Sequence, residues 1–138
     1  MEDYTPTELV FFTDQALSGR RIARALAVSA SCRAEIHADN FAVDALDETW
    51  LPEVGKREWI VVTKDRKIQL RRNEIEALTS AKVRAFIFLD GQLPSDVMIA
   101  LIELLMPKML ETIRNYPPPF VFGIETPDRL VQLYPPVI

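Results

Sequence analysis

Asp14 and Asp65 each stand at the end of an apolar run of strand length, Leu9-Val10-Phe11-Phe12-Thr13 before the first and Trp59-Ile60-Val61-Val62-Thr63-Lys64 before the second. In a parallel α/β sheet, ligands bind outside the carboxyl ends of the strands where strand order reverses, so two such acids are placed to converge on one cation. Mg²⁺ and Mn²⁺ favour carboxylate oxygens and keep several waters, which leaves room for a phosphodiester oxygen. A metal held in this way polarises a phosphoryl group and generates hydroxide from water. The expected chemistry is in-line hydrolysis of a phosphodiester. Taken singly, either aspartate serves equally well as a turn former; as a pair they read as a site.

Other side chains frame that pair. Asp47 and Glu48 begin a helix, where a carboxylate either projects towards the same rim or serves as cap and first-turn charge against the helix dipole. Both roles stay open. Asp90, before Gly91, reads first as turn chemistry. Lys64, Arg66, Lys67, Arg71 and Arg72 carry five positive charges against Asp65 alone, a local net of +4. That run suits RNA phosphates, with a solvated basic helix start as the alternative. His37, the only histidine, reads as a hydrogen-bonding residue at a strand end, since no second His or partnering Cys points to zinc. Ser18-Gly19 is too short for a phosphate-binding loop, and the apolar surroundings of Trp50 and Trp59 place both in the core.

Strands and amphipathic helices must alternate to position these groups, which predicts an α/β fold. Ser18 is placed to cap a helix over 20–29. A short strand over 34–37 and a loop over 38–46 follow. The helix from Asp47 has Pro52 early and Gly55 near its end, where it would shorten the helix. The run 59–63 is the clearest strand, apolar and β-branched as a strand buried on both faces should be. A helix over 72–80, a strand over 83–89 and a long helix from Pro94-Ser95-Asp96 to Tyr116 come next, with Pro107 expected to kink or divide the last. A fifth strand over 120–124 precedes an extended tail from Thr126. Right-handed crossovers favour the order 2-1-3-4-5, which makes Asp14 and Asp65 neighbours. Residues 97–109 are apolar around more of the helix than one sheet face needs, so a homodimer or partner surface is expected there, with Ile102 as its probe.

The chain has 138 residues, 49% hydrophobic and 26% charged, an ordinary globular balance that predicts one core. A net charge of −4 excludes a general duplex-DNA binder, whose affinity rests on many Lys and Arg contacts to phosphate. Cys32 is the only cysteine, so no intramolecular disulfide forms. The start Met1-Glu2-Asp3-Tyr4 lacks the order of a secretory signal, which predicts a cytoplasmic location. The most apolar stretch, 97–106, contains Glu103 and falls short of the ~20 residues that span a bilayer; no membrane partner is expected.

Phe12-Thr13-Asp14 with Gly19-Arg20-Arg21, His37-Ala38-Asp39-Asn40-Phe41, Asp47-Glu48-Thr49-Trp50-Leu51 and Trp59 through Arg66, taken in order, resemble the PIN-like domain family of VapC-type toxins across 9–90. The resemblance implies one PIN-like domain over 1–138, folded as a three-layer α/β/α sandwich with a mainly parallel central sheet. It implies a Mg²⁺- or Mn²⁺-dependent ribonuclease, the toxin of a type II toxin–antitoxin pair, with RNA as substrate and a cognate antitoxin protein as partner. Carried over by position, Asp14, Glu48 and Asp65 match the catalytic, metal-holding acids. Asp47 is an alternative to Glu48, and Asp90 matches a fourth acid by position. Lys64 and Arg66 would steer the RNA backbone. Two rival classes stand beside this reading. A receiver domain would make Asp65 a phosphoacceptor, but the adjacent acidic pair after strand one and a hydroxyl residue after strand four are missing. A non-catalytic binding module would use the acids only as caps.

Overall fold

Strands β1 (Val10–Thr13), β3 (Ile60–Thr63) and β4 (Arg84–Phe88) are buried at every position, the pattern of parallel strands covered on both faces. The computed structural model describes residues 2–17, 19–65 and 72–137. In chain order the remaining elements are a 3₁₀ turn (Gln15–Leu17), α1 (Arg21–Ala30), β2 (Arg33–Ile36), α2 (His37–Asn40), α3 (Asp47–Lys56), α4 (Arg72–Ser80), α5 (Ser95–Asn115), β5 (Phe120–Glu125) and β6 (Arg129–Tyr134). The proposed cap Ser18 and the basic residues Arg66, Lys67 and Arg71 lie outside the described residues.

The sheet runs β2-β1-β3-β4-β5-β6. Its first five strands are parallel, in the expected order, and β6 pairs antiparallel with β5. Alternation along each strand splits the core in two. Phe11, Ile60, Val62, Phe86 and Phe120 face α1 and α5, while Phe12, Val61, Ala85 and Ile87 face α3 and α4. The result is the α/β/α sandwich. Both tryptophans are core residues, Trp50 1% and Trp59 7% exposed.

Four details depart from the sequence reading. The tail from Thr126 is not merely extended: Arg129–Tyr134 forms β6, an edge strand, a position where flanking prolines are tolerated. Helix α3 does end just after Gly55, at Lys56, but the glycine has a reason beyond shortening the helix. A Cβ at Gly55 would lie 2.3 Å from the Ala81 carbonyl oxygen, so this glycine serves a close approach of α3 to the turn after α4. Of the two outcomes expected at Pro107, division does not occur: α5 is one helix from Ser95 to Asn115. The proline sits on the exposed side, where water can satisfy the carbonyl that its missing N–H releases. Finally, the apolar excess of α5 is largely spent inside. Its residues Met98, Leu101, Ile102, Leu105, Met106 and Met109 are buried in the same cluster as Ile22 and Leu26 of α1. Ile102 is fully buried and unsuited to probe an interface. The apolar side chains left outside on this layer are Leu104, Val97 and Val28, 59%, 39% and 74% exposed. Among the described residues, no helix is long and apolar enough to cross a membrane.

Candidate active site

The pairing of Thr13 with Val62 across β1 and β3 sets the next residues, Asp14 and Thr63, side by side at the carboxyl ends of the two strands. The Thr63 hydroxyl donates to Asp14 Oδ2 at 2.8 Å and accepts from the Asp65 backbone N–H at 2.9 Å. One side chain thus fixes the carboxylate and the strand end that carries the second acid. On the other side, Thr13 pairs with Ile36 of β2, so Asp14 is also flanked by His37.

Asp14 is only 6% exposed, and its Oδ1 has no hydrogen-bond partner among the described residues. Burial is the main reason that its pKa is raised to about 7, with the Asp65 and Asp47 carboxylates adding to it; the hydrogen bond from Thr63 and the Ala16 backbone N–H oppose the shift. Withdrawing a carboxylate from water disfavours its charged form, and a neighbouring negative charge acts in the same sense.

The other predicted acids take different places. Asp47 is the first residue of α3 rather than its cap. Leu46 occupies the cap position, and the Asp47 carboxylate accepts the indole N–H of Trp50 at 2.9 Å. It remains near enough to raise the Asp14 pKa. Glu48 is exposed and accepts a hydrogen bond from the Asn73 side chain of α4. Asp90 is exposed and accepts the Gln92 N–H at 2.9 Å, the turn chemistry that its place before Gly91 suits. The charges of Asp65 and Asp47 both reach Asp14, while Glu48 is held by Asn73 and Asp90 by its own turn. Of the basic run, Lys64 adjoins the site, next to Gly91 across the strand ends. Arg72 is exposed and pairs with Glu76 at 3.2 Å.

Two residues gain importance over the sequence reading. Thr63 was visible only as part of the strand; its signal was a hydroxyl residue closing an otherwise apolar buried run. His37 starts α2 instead of closing a strand. It is 2% exposed, with neither ring nitrogen paired among the described residues. Burial lowers its pKa, and Asp47 opposes the shift.

Among the described residues, no three His, Cys, Asp or Glu side chains form a cage for a metal ion. A hydrated Mg²⁺ needs less, since one or two carboxylates commonly hold it together with waters and substrate phosphate. Asp14 and Asp65 fit that smaller donor set. The buried, unpartnered Oδ1 of Asp14 is the kind of group that a cation compensates.

No match emerges among curated proteins or among solved structures. A family model does match: residues 9–90 fit that of the PIN like domain, a segment running from the residue before β1 to the acid after β4. PIN domains are commonly nucleases and typically use divalent metals. With more than half of its length matched, including both strand-end aspartates, Thr63 and His37, the chain belongs to the PIN-like domain family.

Proposed function

We propose that this protein is a metal-dependent endoribonuclease and the toxin of a toxin–antitoxin pair. The observation that carries the reading is the coupled pair of acids at the ends of adjacent parallel strands, Asp14 buried beside Thr63 and Asp65 two residues beyond Thr63, the last residue of β3. Asp14 and Asp65 would hold Mg²⁺ or Mn²⁺, with Asp47, whose charge reaches Asp14, or its neighbour Glu48 as the third acid. Bound there, the ion would supply charge stabilisation at the phosphoryl group and lower the pKa of water.

The chain's own residues do the rest. Thr63 orients Asp14 and holds the Asp65 backbone. Proton loss from Asp14, near pH 7 without metal, must accompany ion capture, because ligands bind deprotonated. Lys64 and Arg72, with Arg66, Lys67 and Arg71, position the RNA backbone as phosphate contacts do, without reading sequence. A partner, whether antitoxin or second copy, would cover the layer carrying Leu104 and Val28, because exposed apolar groups mark interaction surfaces when they form a patch.

The test is cleavage of a labelled single-stranded RNA by the purified chain with Mn²⁺ and with excess EDTA. Cleavage that requires the ion supports the reading; RNA left intact under both conditions contradicts it.

A further inference from the structure

A second space adjoins Asp14 on its β2 side, away from Thr63. It is a cleft of about 310 Å³ lined by Asp14, Gln15, Leu17, Ile36, His37 and Val43. That is the low end of the ~300–1,000 Å³ of small-molecule sites, which combine apolar walls with a few polar groups. The walls are braced. The Gln15 side-chain amide donates to the Val43 carbonyl. Arg20 makes two hydrogen bonds of 2.9 Å to Asp39, joining the residues that follow the cleft-lining Gly19 and Ala38. Both partners are well exposed, so this pair contributes little stability and its effect is geometric.

The innermost polar wall is His37. Phe12, Phe41 and Trp50 pack around its ring at centroid distances of 6.3, 5.5 and 6.1 Å, which fixes the imidazole while leaving both nitrogens without a partner among the described residues. A buried donor or acceptor left unpaired destabilises a fold, so such a group in a native fold requires an explanation. At the rim, the cleft-lining Val43 holds its side chain in water, 81% exposed.

We infer that this cleft is a nucleobase subsite, taking one unstacked base of a single-stranded RNA whose adjoining phosphodiester lies at Asp14 and Asp65. The inference deepens the ribonuclease reading and rests on it. A base and its own phosphate are covalent neighbours, and Asp14 borders both spaces. Proteins that read single-stranded RNA splay bases out, pack their faces and hydrogen-bond their edges. The apolar walls and rim meet the first need, and the imidazole meets the second.

The experiment uses the Asp65→Asn chain, so that binding is read without cleavage, and a fluorescent single-stranded RNA in which one abasic nucleotide is moved along the sequence. One position is expected to weaken binding about tenfold, the scale of a lost base contact. Ala38→Trp, at an exposed cleft-lining position, should weaken the intact RNA similarly and erase the effect of that abasic position. His37→Phe, which keeps the ring packing and removes the nitrogens, should retain the abasic effect and lose discrimination among bases at that position. Equal affinity at all abasic positions, or an Ala38→Trp chain that binds like its parent, overturns the subsite. If Mn²⁺-dependent cleavage persists alongside that result, the ribonuclease reading stands without it. If RNA is neither bound nor cut, both fall.

Discussion

Thr63 donates its hydroxyl to Asp14 at 2.8 Å, a bond that reaches across two adjacent parallel strands at the edge where they end. Its second bond, from the Asp65 N–H, makes one threonine the hinge of both acids. Thr63→Val keeps the volume and removes both bonds. Asp14 then loses the hydrogen bond that most favours its charged form, so its pKa should rise further. The acid limb of the pH–rate profile is expected to move to higher pH, with stability reduced by about 1–2 kcal/mol. A threonine that acts only in packing would lower stability and leave the profile in place; Thr63→Ser should restore it.

Stability should itself depend on pH through Asp14. The folded chain keeps this proton to about pH 7, against an ordinary value of 3.8. Between those values the native state binds a proton that the unfolded chain has released, so stability falls as pH rises and levels off above about 7. Asp14→Asn removes that slope. In EDTA the variant should match the parent near pH 4 and exceed it by about 2–4 kcal/mol at pH 8. Urea midpoints across pH check this; parallel curves for the two chains would mean that the carboxylate is not held protonated.

Lys64→Glu with Arg72→Glu tests the basic run on the two of its members that the structure describes. Arg72 is nearly all in solvent, and its pair with Glu76 is also exposed, so little fold stability depends on it. Affinity for single-stranded RNA should fall, and the slope of log affinity against log salt should shrink by about one unit, since fewer counterions are released. An unchanged slope would place the RNA path elsewhere.

The strand order and the two aspartates were legible because their signals are local: apolar β-branched runs closed by an acid, with amphipathic segments between. Family resemblance over 9–90 was legible for the same reason, and the family model spans the same residues. What escaped depends on contacts distant in sequence. The role of Thr63 needs Asp14, 49 residues away. The separation of Asp47 from Glu48 needs Trp50 to take one and Asn73 the other. Gly55 reads as a residue that shortens its helix until Ala81 is seen against it. Strand β6 carries its pairing partner in β5 rather than in its own short, proline-bounded sequence. The excess apolar face of α5 could not be assigned without knowing that α1 lies beside it.

The central claim is that Asp14 and Asp65 act together on a phosphodiester. Its most direct test is the rate of Mn²⁺-dependent cleavage of single-stranded RNA by Asp14→Asn and Asp65→Asn, each shown to be folded by circular dichroism. Altering groups that merely orient metal ligands costs about 10–100-fold. Loss of either ligand should therefore reduce cleavage by at least about 100-fold, with both proteins intact. Cleavage at the parent rate in either folded variant would contradict the account.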